Sequence, residues 1–177
     1  GDFPVRIGNL AYIQDQHDAE GEVLDALWDT YDRTGDTAFI EKHWDKTRIA
    51  ADFVAGNWRD TDNGIWELRG VISHYTHSKI LCWTALDRAA RIAEALGHTD
   101  EYLRWRAEAD AVKSDVLARA WNKRMKIFTF AYGMPLTDTS VLVLPLTGML
   151  PPDDPRVQST IKRIENELVY DGLVARN

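Results

Sequence analysis

Apolar residues recur every three or four positions along most of this chain, the period of amphipathic helices. Over 10–33, Ile13, Leu24, Leu27, Trp28 and Tyr31 fall at helical spacing, and Thr34-Gly35-Asp36 reads as a stop. A second helix is predicted over 37–58, capped by Asp36, with Phe39, Ile40, Trp44, Ile49, Phe53 and Val54 as its apolar set. Residues 59–75 break the pattern, since Asp60, Asp62, Asn63, Gly64 and Gly70 are loop chemistry. The third helix, 76–95, carries Ile80, Leu81, Trp83, Ala85, Leu86, Ala89, Ala90 and Ile92, too many apolar groups for an exposed face, so burial on most sides is expected. Gly97 ends it, and Thr99 is the expected cap of a fourth helix over 101–120, with Leu103, Ala107, Val112, Val116 and Leu117 facing inward. Residues 127–132 read as extended before Gly133 and Pro135. A short apolar helix is expected over 138–149 with Asp138 as its cap. Asp154 and Pro155 then open a last helix that runs to 170 and stops at Asp171-Gly172. Six helices joined mostly by short connections make the class all-α, with antiparallel helical hairpins. Solenoids, bundles and toroidal barrels all share this pattern, and periodicity does not choose among them.

Composition narrows the function classes. With 177 residues, 45% hydrophobic and 28% charged, the chain is a folded domain and not a disordered one. A net charge of −7 argues against nucleic acid as partner and suits neutral or cationic ligands. The single cysteine, Cys82, excludes an internal disulfide framework and a cysteine zinc cluster, and its helical apolar surroundings suit a small core residue. No apolar run approaches the roughly 20 residues that span a bilayer, so no membrane partner is expected. The opening Gly1-Asp2-Phe3-Pro4 lacks an initiator methionine, which makes a processed or excised fragment one reading. The seven tryptophans, at 28, 44, 58, 66, 83, 105 and 121, follow no fixed repeat and are expected in the core or in cleft walls.

Chemistry is most concentrated between Trp58 and Ser78, where rings, acids, arginine and histidine crowd a loop between two apolar helices. Glu67 follows Trp66, whose ring offers the kind of apolar wall that keeps a carboxylic acid protonated near neutral pH, the state in which it serves as a general acid. Arg69 suits a hydroxyl-rich ligand or an acid partner. The plainer alternative is a surface ion pair between Glu67 and Arg69. His74 and His77, with Glu67 or Asp87 as a third ligand, suggest a metal, but the spacing is not that of the zincins, and the histidines are better read as hydrogen-bonding within the loop or lining a cleft. No metal and no cofactor are expected. Ser78 and Ser140 lack a nucleophile elbow, and no glycine-rich phosphate loop is present.

An ordered set of short runs carries a resemblance. Pro4-Val5-Arg6-Ile7-Gly8-Asn9, Gln14-Asp15-Gln16-His17-Asp18 and Gly21-Glu22-Val23-Leu24-Asp25-Ala26-Leu27 are followed by Asp62-Asn63-Gly64-Ile65-Trp66-Glu67-Leu68-Arg69-Gly70. Ser78-Lys79, Trp83, Ala85-Leu86-Asp87-Arg88 and Asp153-Asp154-Pro155-Arg156-Val157 continue the order. Together they resemble the bacterial glucoamylase and trehalase-like enzymes of glycoside hydrolase family 15 over nearly the whole chain. The resemblance implies an (α/α)6 toroid and an inverting hydrolase of α-linked glucosides, oligosaccharide or disaccharide. It places the general acid on Glu67, with Trp66 as a wall of the sugar site, Arg69 as a substrate-side or acid-orienting residue, and His74 and Tyr75 shaping the cleft. The family's aromatic-x-Arg-Asp motif and its general-base motif fall outside residues 1–177, and Asp18, Asp138 and Asp171 are carboxyl groups without the expected context for a base. Twelve helices need roughly 300 residues or more, so the 177 residues form about half of a toroid as one partial catalytic domain. Such a piece carries the acid side of the site and is expected to be inactive alone and to self-associate through uncovered apolar faces. The alternative is a non-catalytic, helical carbohydrate-binding or interaction remnant. The expected location is cytoplasmic, with secretion left open.

Overall fold

The structure, a computed structural model, describes residues 14–68 and 71–176. Six helices account for most of it: α1 (Ala19–Thr34), α2 (Thr37–Asn57), α3 (Thr76–Leu96), α4 (Thr99–Arg119), α5 (Val143–Leu146) and α6 (Pro155–Leu168). Two small hairpins, β1 (Trp121–Asn122) with β2 (Ile127–Phe128) and β3 (Val169–Tyr170) with β4 (Leu173–Val174), follow α4 and α6.

The third helix is the centre of the fold. Seventeen of the 21 residues of α3 are buried, which is what its nearly all-round apolar sequence predicts. Helices α1, α2 and α4 pack against it. At Gly21 the approach is closest, where an added Cβ would lie 2.5 Å from the Leu81 carbonyl oxygen. Polar groups on so buried a helix require partners. Asp87 receives hydrogen bonds from Arg88, Arg91 and Arg106 at 2.6, 2.8 and 2.7 Å, and Arg88 also reaches Asp25 on α1 and the Thr147 carbonyl. Burial opposes ionisation of Asp87, but the Arg106 hydrogen bond and the charges of Arg91, Arg106 and Arg88 outweigh it and hold its carboxyl below the usual range. Lys79, 1% exposed, donates to the carbonyls of Trp58 and Asp60. These lie at the C-terminal end of α2, where a helix dipole favours a cation.

Several boundaries differ from expectation for local reasons. The first helix begins at Ala19, not near residue 10, because the backbones of Asp15 and His17 pair with the loop at 62–63 and not with their own next turn; Ile13 lies outside the described residues. His98, not Thr99, stands before α4, and its ring stacks on Trp44 at 4.1 Å and 8°. The apolar stripe of α2 runs through Ile40, Trp44, Thr47, Ala51, Val54 and Trp58, which leaves Ile49 and Phe53 on the opposite face, exposed. Likewise α4 turns Trp105, Ala109, Val112 and Val116 inward, and Leu103 and Ala107 outward. The helix expected over 138–149 is a 3₁₀ turn, Thr139–Leu142, followed by the four residues of α5; Pro145 removes a donor that further turns would need. The last helix ends at Leu168. Asp171 and Gly172, both with positive φ, then form the two-residue turn of the β3–β4 hairpin, a use of Asp-Gly different from a simple stop. Of the extended run 127–132, residues 127–128 pair with β1, and Ala131 bridges to Tyr75.

The caps read from sequence at Asp36, Asp138 and Asp154 are present, accepting from the backbone N–H of Phe39, Ser140 and Arg156. Asp154 is held down at about 2, chiefly by its hydrogen bond to the Arg156 side chain. Trp58, Trp83 and Trp105 belong to the core. The indole N–H of Trp58 is satisfied by Glu108 at 2.7 Å, and that of Trp105 by Asp52 at 2.8 Å. Among the described residues no helix is long and apolar enough to cross a membrane.

Candidate active site

The loop between α2 and α3 is closed at its base by mutual backbone hydrogen bonds of Asp62 and Ser73, at 3.0 and 3.1 Å. Within it, residues 64–67 form a turn in which the Glu67 N–H donates to the Gly64 carbonyl at 3.1 Å. Gly64 has φ +65, and its missing Cβ leaves room for the Tyr75 ring, which would otherwise meet it at 2.6 Å. Glu67 has φ +49, a conformation that costs a non-glycine residue roughly 1–2 kcal/mol. Such strain persists only where neighbours over-determine it.

The neighbours are identifiable. Residues 14–18 run beside the loop: Asn63 donates to the Asp15 carbonyl at 2.9 Å, Asp15 to the Asn63 side chain at 3.1 Å, and His17 to buried Asp62 at 3.2 Å. The side-chain amides of Gln16 and Gln14 reach the carbonyls of Gly64 and Glu67, each at 3.3 Å. On the other side, the Trp66 indole N–H donates to both oxygens of Asp138, at 3.2 and 3.0 Å, and the Arg176 guanidinium lies 5.6 Å from the Trp66 ring centre. The Glu67 side chain is exposed.

The other sequence-predicted residues separate. Tyr75 immediately precedes α3, 1% exposed, with its ring 4.9 Å from that of Phe130 and its hydroxyl donating to Val71, so it supports the turn from beneath. His74 stacks on Tyr132 at 5.6 Å and borders a cavity of about 280 Å³ with Trp58, Arg59, Lys79, Asp115 and Arg119. Burial, then Lys79 and Arg119, lower its pKa and so favour its neutral form. His77 is buried in a different setting, with Nδ1 3.5 Å from Asp18. The two histidines therefore do not converge with Glu67 or Asp87 as a metal reading required. Among the described residues no group of three or more His, Cys, Asp or Glu side chains is placed to hold a metal. Arg69 lies outside the described residues. Cys82 is fully buried, its thiol pushed up to about 12 by burial, which removes it as a nucleophile. Sequence reasoning missed the Asp138–Trp66 contact; the residues are 72 positions apart, and Asp138 reads as a helix cap alone.

The family model for glycosyl hydrolases family 15 matches residues 1–177. The chain belongs to that family. A trehalase of Mycobacterium tuberculosis is 43% identical over 173 residues, which are 98% of this chain and 25% of the relative. Trehalase 2 of Sulfolobus acidocaldarius is 39% identical over 174 residues, 98% of this chain and 30% of the relative. The chain thus spans between a quarter and a third of the length of these relatives. Among solved structures, a glycosidase variant in complex with glucose superposes with a TM-score of 0.84 at 21% identity, covering 97% of this chain and 45% of that one. A second glycosidase variant gives 0.82 at 22% identity with the same coverage. The helical hairpins of this family 15 chain correspond to about half of an (α/α)6 toroid.

Proposed function

We propose that this chain supplies the general-acid side of an inverting hydrolase of α-linked glucosides, with Glu67 as the acid and trehalose the first substrate to test. The observation that carries the reading is the Gly64–Glu67 turn. It holds a carboxyl group exposed at a left-handed position, clamped by Gln14 and Gln16 on one side and by Asp138, through Trp66, on the other. Family membership and the trehalase names of its relatives support the substrate class. In the proposed reaction Glu67 protonates the glycosidic oxygen as the bond to the anomeric carbon breaks. A second carboxylate, roughly 6.5–9.5 Å away, takes a proton from the water that attacks the opposite face. No carboxyl group of this chain is assigned as that base. Trp66, beside the acid, forms a wall of the sugar site, and Arg69 takes the substrate-side or acid-orienting role that the family resemblance implies.

In the full-length protein, Glu67→Gln is expected to lower trehalose hydrolysis about 10²–10⁴-fold, the usual contribution of a positioned acid, with thermal unfolding unchanged. Activity equal to the parent would remove Glu67 from the role. The isolated 177-residue chain is expected to turn over neither maltose nor trehalose, because an acid without a positioned water lacks half of the mechanism. It is also expected to self-associate through exposed Val23, Ile49, Phe53 and Leu146, and light scattering that finds a monomer at high concentration would refute this.

A further inference from the structure

Trp66 and Glu67 share a peptide bond, so whatever fixes the indole also fixes the backbone that presents the carboxyl group. We propose that Asp138 is a positioning residue of this site: its buried carboxyl group holds the Trp66 indole N–H and, through it, the turn that carries Glu67. The proposal rests on the reading of Glu67 as the general acid.

A helix cap alone does not account for Asp138. Capping uses one oxygen, Oδ1, which accepts from the Ser140 N–H at 2.8 Å and from the Ser140 hydroxyl. The partner of Oδ2 is the Trp66 indole N–H, at 3.0 Å. Asp138 is 0% exposed, and none of these donors is a cation, an arrangement in which each hydrogen bond matters because water cannot replace it. The strap that carries Asp138 is also tied to the residue that meets the Trp66 face. Thr139 donates its N–H to the Arg176 carbonyl at 3.0 Å, and the Arg176 side chain lies over the indole. Edge and face of one ring are thus fixed by two stretches of chain hydrogen-bonded to each other, next to a residue whose φ of +49 needs such support.

In Asp138→Asn the capping oxygen remains, while the amide presents a donor toward the indole N–H or gives up the cap. The full-length protein is tested with trehalose and with α-glucosyl fluoride, whose leaving group needs little proton donation. Asp138→Asn is expected to lower kcat on trehalose about 10- to 100-fold, the scale of a misplaced catalytic group, with KM within about twofold and fluoride hydrolysis largely kept. Trp66→Phe removes the same hydrogen bond from the other side; because Trp66 also walls the sugar site, KM is expected to rise on both substrates, but kcat should fall further on trehalose than on the fluoride, and the kcat of the double variant should be no lower than that of Trp66→Phe alone. Should Asp138→Asn fail to fold, the Trp66→Phe split carries the test. Parallel loss of kcat on both substrates, parent-like kcat on trehalose, or kcat losses that multiply in the double variant would overturn the proposal. Glu67→Gln separates the two readings. If it strongly lowers trehalose hydrolysis while Asp138→Asn keeps the parent's kcat, only the positioning role falls; if it has no effect, the acid assignment fails and the positioning role with it.

Discussion

Gly64 and Glu67 bound one four-residue turn and share a left-handed backbone for different reasons. At Gly64 the conformation is free of side-chain strain, and the missing Cβ admits the Tyr75 ring. Gly64→Ala introduces both a strained φ and a 2.6 Å contact with a buried aromatic ring. The expected cost is about 2–4 kcal/mol, read as a lower urea midpoint at constant slope. A midpoint equal to the parent's would mean that the ring moves aside freely. Trp66 and Glu67 stand out in the sequence because an acid beside a large ring in a polar loop is a local signal, and the family resemblance implies the acid role proposed for Glu67. The place of Tyr75 beneath the turn was not legible, since it depends on the pairing of residues 74–76 with 130–132, more than fifty positions away.

At the scale of elements, α3 was the most readable, because a helix apolar on nearly every face has one destination. The phases of α2 and α4 were harder. Both carry apolar residues on two faces, and the stripes that are buried are those that bring Trp58 and Trp105 to a carboxyl partner on the other helix, Glu108 and Asp52. The Asp87 cluster ties these elements together, since its arginines come from α3 and α4, and Arg88 reaches on to α1 and to Thr147 after α5. Asp87→Asn takes the buried counter-charge from Arg88, which keeps only Asp25, and from the partly exposed Arg91 and Arg106, and should cost about 3 kcal/mol at pH 7. Its folded pKa is lowered, so the contribution of Asp87 is complete above the unfolded value of 3.8 and is lost as pH falls through the folded value. The difference between parent and variant should therefore shrink in strong acid. A constant difference down to pH 2 would show that the ion pairs are not its source.

For the whole molecule, the all-α class and the antiparallel hairpins follow from helical periodicity and short connections. Periodicity did not select the toroid, because bundles and solenoids present the same local pattern; the ordered motifs made that selection. The segment 14–18 was misread as helix because its partners are 45 or more residues away, in the loop it supports. That segment also covers the lone thiol: Cys82 Sγ donates to the His17 carbonyl at 3.2 Å and is fully buried. The 14–18 segment is part of the cover of Cys82, so labelling of the folded chain by a thiol-reactive dye should be orders of magnitude slower than in urea. Equal rates would contradict the packing. Because the same stretch grips the carbonyls of Gly64 and Glu67, the labelling rate becomes a clock for how often the turn that presents the acid comes undone.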